Sequence, residues 1–540
     1  MSRILFLLQA GRHPELTSFF SIHYLIFFLP LALLLYGIAP KKWKRYVLLA
    51  VSLGFFWFIS GIGILYLLAS MISIWGFGLW MDHLYSRRDA AVKAAEKPER
   101  KAIKKAYRTR CRWILALAVC LHIGLLLVIK YSGFFMENVN ALFGAAFPVP
   151  KYVMPIGISF FTLQAVSYLM DVYRQTIPAD RNFFRLALFL SFFPQIVEGP
   201  ICRYGQTTEQ LWNGEGIRYE NLTLGLQRIL YGLMKKLVVA DRLNAFVKVV
   251  FGDVYGFQGG IVAMAAVCYT IQLYMDFSGS MDAVCGTAQI LGITMPENFR
   301  RPFFSRTVSE FWTRWHISLG AWFKDYIFYP VTMSGPMKNL TSAARKKLGN
   351  HFGPLIAGSI ALFCVWFCNG LWHGAAWSFV FFGMYHFAII LTGSVIAPWV
   401  KSAQARLHIN PDHWLYRGLQ ILRTCVLVVI GELFFRAESL REGMILFKRM
   451  VTDFTFPVFD KALWKTLGID RADLTIVGVT VVIVFVVSLL QERGIPVRET
   501  LKKQNTAVRW AVLYALILYI VIFGAYGHGY VPVNPMYANF

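Results

Sequence analysis

Charged residues are scarce in this 540-residue chain, where Asp, Glu, Lys and Arg together make up 15%. None of the four occurs from Leu348 to Val400, a run of 53 residues. Ordinary soluble domains carry about 25% charged residues, so this scarcity excludes a soluble protein. Hydrophobic residues reach 57%, and the mean hydropathy is +0.52.

Several familiar enzyme signatures are also missing. The chain has no Walker loop, no Rossmann glycine fingerprint after a strand, no GxSxG elbow and no HExxH pair. Eight scattered cysteines predict no disulfide framework. Cys364 and Cys368 share a helix face without His or acidic neighbours, so they predict packing, and we expect no metal site.

The apolar residues are arranged in repeated runs separated by short basic loops. A helix needs about 20 apolar residues to cross a bilayer, and the runs predict an all-α, multi-pass membrane protein with about eleven crossings or re-entrant segments. No polar stretch is long enough for a soluble domain, so we predict one integrated domain, 1–540, with a core at 152–390.

Basic residues outnumber acidic ones by 54 to 29. They cluster in loops such as 41–45 and 86–112, which places these loops in the cytoplasm and in contact with anionic lipid head groups. The charge therefore does not indicate nucleic-acid binding. Arg493, Arg498, Lys502 and Lys503 precede the last apolar run and predict a cytoplasmic segment there, so the tail, 526–540, is predicted to be extracytoplasmic.

Two histidines lie in unusual surroundings. His373 is in the charge-free run, and Asn369-Gly370 before it is a turn signal, so we expect His373 to begin a second helix. Thr307 and Glu310 have capping-box spacing, which predicts a helix from Thr307 to about Tyr326 with His316 on its aromatic face. A titratable group inside a membrane indicates a functional site, whereas a core histidine with a hydrogen-bond partner is the plainer alternative.

Other polar features favour structural roles. Proline and glycine interrupt the apolar run from Phe183 to Ile201, which predicts a kinked or re-entrant segment. The acids Glu198 and Asp276 stand in apolar surroundings, and we expect each to tie helices together. Glu310 and Arg314 can form a pair at i, i+4.

Five stretches, in this order and spacing, resemble the membrane-bound O-acyltransferase superfamily. They are most similar to its branch with the alginate O-acetylation membrane protein and the D-alanyl transfer protein of teichoic acids. The stretches are MPIGISFFTLQAVSYLMDVYR (154–174), FPQIVEGPI (193–201), YMDFSGSMD (274–282), LGITMPENFRRPFFSRTVSEFWTRWHISLGAWFKDYIFYP (291–330) and NGLWHGAAW (369–377).

The resemblance implies helices around a central tunnel, where a cytoplasmic acyl donor meets an acceptor from the other side. It implies a catalytic role for His373 and a second functional histidine at His316. A neutral imidazole can take the proton of an acceptor hydroxyl while the hydroxyl attacks the acyl carbon. His316 is expected to position the donor or to polarise its carbonyl group.

The same branch implies acetyl-CoA as co-substrate and an extracytoplasmic polysaccharide as acceptor, in the cell membrane. Arg300, Arg301 and Arg314 are candidates for the CoA phosphates, with lipid phosphates as the alternative. The chain's last residues resemble the branch's aromatic tail, in which a tyrosine carries the acyl group. Tyr537 would then pass acetyl to a separate hydrolase-like acyltransferase, unless it is an interfacial anchor.

Two other functions stay open from the sequence. One keeps the fold and moves D-alanyl groups from a carrier protein. The other is a polymer or ion transporter that uses the histidines as a proton relay. Transporters tend to show internal repeats, and we find none by inspection.

Overall fold

The computed structural model describes residues 16–150 and 152–526, which are mainly helical. No strand occurs in these ranges, where one isolated bridge pairs Phe299 with Trp315. Eight helical segments in the described chain are long and apolar enough to cross a membrane. The protein is therefore an integral, all-α, multi-pass membrane protein. This confirms the predicted fold class, while the predicted number of about eleven segments is not confirmed.

The described chain forms two compact units. The first holds residues up to Leu226 together with Ala283–Pro296. A π-helix, His23–Phe28, precedes α1, and a 3-10 helix at Gly61–Gly63 joins α2 to α3. The helices that begin in this unit are α1 (Leu29–Ile38), α2 (Lys44–Ser60), α3 (Ile64–Ala94), α4 (Arg100–Phe143), α5 (Ile158–Arg174), α6 (Phe183–Ser191), α7 (Phe193–Ile196), α8 (Tyr204–Asn213) and α9 (Tyr219–Leu233).

The second unit holds Gln227–Asp282 and the described residues from Glu297 onward. It also contains π-helices at Met234–Ala240 and Lys324–Phe328 and a 3-10 helix at Pro302–Phe304. Whether the two units act as one integrated domain stays a prediction. The remaining helices are α10 (Asp241–Gly252), α11 (Gly259–Ile290), α12 (Val308–Arg314), α13 (Ile317–Phe323), α14 (Tyr329–Thr332), α15 (Gly335–His373), α16 (Trp377–Arg406), α17 (Trp414–Arg436), α18 (Leu440–Thr452), α19 (Lys461–Leu467), α20 (Arg471–Glu492), α21 (Val497–Lys502) and α22 (Thr506–Phe523).

In the first unit, a glycine allows two of the sequence motifs to meet. Gly157 has a φ of 72°, a left-handed conformation that favours glycine. A Cβ at this position would lie 1.9 Å from the carbonyl oxygen of Ile196. The segment around Ile196 is broken between Ser191 and Phe193, beside Pro194, which confirms the predicted kink. Glu198, the acid of this segment, is buried.

In the second unit, a buried lysine links α11 to the chain before α10. Lys236, on the π-helix Met234–Ala240, is 2% exposed. Its Nζ lies 2.8 Å from a carboxylate oxygen of Asp276 and 2.9 Å from one of Asp241. The predicted tying role of Asp276 is confirmed. An ammonium group inside a protein is stable only when paired in this way.

Replacing Lys236 with methionine is expected to destabilise the protein by about 3–5 kcal/mol, because two buried carboxylates lose their counter-charge. The change is measured by heating the purified protein and recording the temperature at which its monodisperse size-exclusion peak is lost. The triple variant Lys236→Met, Asp241→Asn, Asp276→Asn is expected to recover most of the loss. A single variant as stable as the wild type would contradict a stabilising role for this cluster.

Candidate active site

His373 is the last residue of α15, and α16 begins after the short link 374–376. Its side chain is buried, and the residue is 5% exposed. The imidazole packs edge-on against three rings, with centroid distances of 5.0 Å to Trp372, 5.9 Å to Phe382 and 5.0 Å to Phe435. These aromatic walls come from α15, α16 and α17 and surround the imidazole with apolar surface.

The prediction of a turn at Asn369-Gly370 is wrong, because both residues lie inside α15. Gly370 serves close helix packing instead: a Cβ there would lie 2.5 Å from the carbonyl oxygen of Phe379 on α16. Gly383 on α16 makes the reciprocal approach, because a Cβ there would lie 2.3 Å from the carbonyl oxygen of Trp366. His373 therefore lies at the carboxyl end of a helix, and not at the amino end of the next one.

Replacing Gly370 with alanine is expected to lower activity several-fold and to cost about 1–3 kcal/mol of stability, because α15 and α16 must separate. Gly358, on the same helix, has no atom within 4 Å of a built Cβ. Gly358→Ala is the matched control and is expected to be neutral or stabilising. Thermal stability and acyl-transfer rate, measured on both variants, check the prediction; equal behaviour would refute the packing role.

His316 lies at a helix break that the sequence did not predict. The continuous helix expected from Thr307 to Tyr326 is divided into α12 and α13, and His316 has a left-handed backbone, with φ 47° and ψ 50°. The start of that helix was predicted correctly, because the Thr307 hydroxyl accepts the Glu310 N–H at 3.1 Å. The predicted pair of Glu310 with Arg314 also forms, at 2.8 Å.

The imidazole of His316 is fixed by Asn298. Its Nδ1 lies 3.3 Å from the Asn298 side-chain oxygen, which also accepts the N–H and the hydroxyl of Ser318 at 3.0 and 2.9 Å. Because the backbone N–H of Ser318 can only donate, the shared atom is an oxygen and the Nδ1 of His316 donates to it. In a neutral ring this leaves Nε2 as an acceptor.

Burial lowers the pKa of His316 to about 3, from an ordinary value of 6.5. The ring is therefore neutral throughout the physiological range. A neutral ring that donates through Nδ1 accepts a hydrogen bond at Nε2. This chemistry suits the orientation of a hydroxyl or thiol group better than the polarisation of a carbonyl oxygen.

The structure brings the two predicted histidines together through one indole. The ring of Trp372 contacts His373 at 5.0 Å and His316 at 5.6 Å, measured between centroids. Phe277, on α11, also packs edge-on against His316, with a centroid distance of 4.8 Å. Both imidazoles thus belong to a single buried aromatic cluster.

Sequence reasoning missed a third buried histidine beside this cluster. His386 on α16 is 0% exposed, and its Nδ1 accepts the indole N–H of Trp312 at 3.3 Å. Phe382 contacts both His386 and His373, at 4.7 and 5.9 Å. The signal was available, because His386 lies in the same charge-free run, 13 residues after His373.

A buried acid was missed as well. Glu432 on α17 is 2% exposed and lies one helical turn before Phe435, which contacts His373. Its neighbour Gly431 approaches the imidazole of His386, since a Cβ at Gly431 would lie 2.6 Å from Nε2. An acid inside the apolar run of α17 was the sequence signal for this residue.

Two of the three predicted phosphate-binding arginines pair with Glu492, and the third is hydrogen-bonded to one of them through the backbone. Arg301 donates to the Glu492 carboxylate at 2.5 Å, and Arg314 does so at 3.0 Å. Arg300 donates its backbone N–H to the Arg314 carbonyl at 2.9 Å. Arg300 and Arg301 also line a cavity of about 450 Å³, next to Tyr274.

Tyr537, the predicted acyl carrier, lies outside the described residues, as does the rest of the tail beyond residue 526. The helix that leads to the tail is anchored inside the second unit. Arg242 donates to the Phe523 carbonyl at 2.6 Å, and the Ala525 N–H donates to the Leu237 carbonyl at 2.8 Å.

A family model and individual relatives of this chain indicate the same protein family. Residues 151–345 match the model of the membrane-bound O-acyltransferase family. A "Probable alginate O-acetylase" from Azotobacter vinelandii is 30% identical over 471 residues, which cover 86% of this chain and 84% of the relative.

Two further relatives differ in their named substrates. A peptidoglycan O-acetyltransferase from Helicobacter pylori is 30% identical over 365 residues, covering 63% of this chain and 64% of the relative. A teichoic acid D-alanyltransferase from Bacillus subtilis is 29% identical over 261 residues, covering 47% and 62%. With the alginate relative matched over most of both lengths, the chain belongs to the membrane-bound O-acyltransferase family.

Proposed function

We propose that this protein moves acetyl groups from a cytoplasmic donor, acetyl-CoA, across the cell membrane toward an extracytoplasmic polysaccharide. Its family makes it an O-acyltransferase, which leaves the transporter alternative without support. The proposal concerns the acetyl donor, the direction, the acceptor and the residues that act. It assigns the general base to His373, an orienting role to His316 and the acyl relay to Tyr537.

The observation that carries the proposal is the contact of one indole, Trp372, with both imidazoles. An acceptor hydroxyl placed beside this indole can reach His373 as a base and His316 as a hydrogen-bond acceptor. The surrounding rings keep water away from the thioester, which limits hydrolysis.

The proposed step balances without any further reactant. The acceptor oxygen attacks the acetyl carbonyl carbon while His373 takes the hydroxyl proton. The carbon–sulfur bond of acetyl-CoA then breaks, and the proton on His373 passes to the leaving thiolate, giving free CoA. His373 is left neutral, ready for the next acceptor.

The position of His373 at the carboxyl end of α15 supports this role. The carbonyl groups at a helix carboxyl end carry partial negative charge, which stabilises a nearby imidazolium by about 0.3–1 kcal/mol. The helix amino end predicted from the sequence would have had the opposite effect. The observed end favours the transient protonation that a general base requires.

Arg300, Arg301 and Arg314 remain our candidates for the donor phosphates. The cavity beside Arg300 and Arg301 also contains Arg228, Lys235 and Arg498. This positive lining suits a polyanionic donor such as CoA.

The acceptor class rests on the relatives. The alginate O-acetylase match extends over 86% of the chain, whereas the D-alanyltransferase match covers 47%. Acetylation of a polysaccharide is therefore the preferred function, and D-alanyl transfer from a carrier protein is the alternative. We further propose that a hydrolase-like acyltransferase outside the membrane completes the transfer.

The experiment that tests the proposal uses the full chain in vesicles with acetyl-CoA labelled in the acetyl group. The expected result is label on the protein, and then on a polysaccharide when the extracytoplasmic partner is added. Labelled D-alanyl carrier protein is the parallel arm. Label from that arm alone would reject the acetyl donor, and label from neither donor would reject both assignments.

A further inference from the structure

An apolar groove of about 290 Å³ lies in the second unit. Residues of α11, α17, α20 and the 3-10 helix Pro302–Phe304 line it. Most of these residues are apolar, among them Ile271 and Met275 on α11, Val429 on α17 and Val481 on α20.

This groove opens on the surface of the protein, between helices that have the length and composition of membrane spans. Its lining residues Val267 and Phe485 are 48% and 53% exposed. The helices α11, α17 and α20 are each long and apolar enough to cross the bilayer. An apolar space of this size does not hold water but accepts apolar molecules, and acyl chains are the apolar molecules present in a bilayer.

One end of the groove is positively charged. The groove shares Tyr274, Arg301 and Ser488 with the cavity of about 450 Å³. Arg301 gives its Nε–H to Glu492, and a guanidinium group has four further N–H donors on its terminal nitrogens. The cavity lining contains five cationic residues against two acidic ones, namely Arg228, Lys235, Arg300, Arg301 and Arg498 against Asp282 and Glu297.

An apolar groove that ends at an excess of positive charge matches an amphiphile with a negative head group. Basic pockets between membrane helices on the cytoplasmic side bind the head groups of anionic lipids. Glu492 ends α20, and Arg493 and, on α21, Arg498 follow in the segment that the sequence predicts to be cytoplasmic. The head group would therefore lie in the cytoplasmic leaflet.

We propose that this groove binds one anionic phospholipid, with an acyl chain along α11 and its phosphate at Arg301. The proposal is argued from the groove and its charges and not from the proposed acetyl transfer, although Arg301 is also one of our candidates for the donor phosphates. Its phosphate would lie beside the positive cavity. The negative charge of the lipid would therefore lower the positive charge that a donor meets there.

Native mass spectrometry of the full chain tests the proposal, after exchange into equal amounts of phosphatidylglycerol and phosphatidylcholine with the same acyl chains. The wild type is expected to retain one phosphatidylglycerol, with about tenfold preference over phosphatidylcholine. Both lipids carry the phosphate, but only phosphatidylcholine adds a choline cation, which the positive lining repels. Long-chain acyl-CoA is added in a separate arm as a competing occupant.

Two variants separate the chain site from the head-group site. Val481→Trp fills the groove and is expected to lose the bound lipid, whereas Val482→Trp, at an adjacent residue that is 59% exposed and does not line the groove, is expected to keep it. Arg301→Gln is expected to keep a lipid but to lose the tenfold preference. Arg493→Gln, outside both linings, is its charge-matched control.

Three results would overturn the proposal. One is equal retention of the two phospholipids by the wild type, which would make the groove a non-selective contact with bulk lipid. Another is full retention of phosphatidylglycerol by a folded Val481→Trp variant. The third is displacement of the phospholipid by long-chain acyl-CoA at equal concentration, which would assign the groove to an acyl donor.

Discussion

Replacing His373 with alanine is expected to lower acetyl transfer by about 10²- to 10⁴-fold, the usual contribution of a general base. The imidazole is the titratable group at the centre of the aromatic cluster formed by Trp372, Phe382 and Phe435. Without it, the acceptor hydroxyl must lose its proton to water, which the aromatic walls exclude. Transfer from labelled acetyl-CoA in vesicles, with protein amount held equal, measures the loss.

The matched control for this variant is His351→Ala. His351 lies on the same helix and is exposed. Its ring Nε2 lies 3.1 Å from the backbone carbonyl oxygen of Ser394. We expect the His351→Ala variant to transfer acetyl at the wild-type rate. Both variants should insert into the membrane and elute as the wild type does. Transfer by His373→Ala within a few-fold of wild type would remove His373 from the chemistry and leave it a core residue.

A second variant distinguishes the loss of the general base from a loss of protein structure. His373 closes α15, and the removal of its ring leaves a cavity among aromatic side chains, which itself costs stability. His373→Gln keeps much of the volume and a hydrogen-bonding group but cannot take a proton. An equally severe loss in His373→Gln with normal thermal stability would assign the effect to the missing base.

Much of the architecture was predictable from the sequence because it depends on local patterns. Apolar runs gave the membrane helices, and capping chemistry gave the start of α12 at Thr307. The 3-10 helix at Gly61–Gly63 and the break beside Pro194 follow from residues that restrict or free the backbone. In each case the determining residues are neighbours in the chain.

The errors arose where distant segments decide the local structure. Asn369-Gly370 is a turn signal by itself, yet the close approach of Phe379 from α16 uses the missing Cβ inside a helix. The sequence predicted His316 inside a helix, but its backbone is left-handed. The side-chain oxygen of Asn298 accepts hydrogen bonds from the His316 ring and from the N–H of Ser318. These interactions link residues that a periodicity argument treats as independent.

The candidate site shows the same division. The family motifs identified His373 and His316 as candidates. That both imidazoles contact the indole of Trp372 is visible only in the tertiary structure. His386 and Glu432 lie outside the motifs and were missed, although each is a buried polar residue within an apolar run. A search for titratable groups inside predicted membrane helices, independent of any motif, would have found both.

The tail prediction has the second large expected effect: Tyr537→Phe should fold normally and lose transfer to the polysaccharide. The substitution removes only the phenolic oxygen, the atom proposed to carry acetyl. The anchoring of Phe523 and Ala525 by Arg242 and Leu237 fixes the start of the tail in the second unit. From residue 526, eleven further residues can extend at most about 40 Å, more than the thickness of the hydrocarbon core, so covalent reach does not prevent delivery from the site.

Tyr530→Phe is the matched control, because it removes the same oxygen from another tyrosine of the same tail. We expect it to transfer acetyl at the wild-type rate. Mass spectrometry of the C-terminal peptide should find acetyl on Tyr537 after incubation of the wild type with acetyl-CoA, and none in His373→Ala. Unchanged polysaccharide acetylation in Tyr537→Phe would reduce the tyrosine to an interfacial anchor, and would require that the acceptor itself enters the site beside Trp372 and receives acetyl directly.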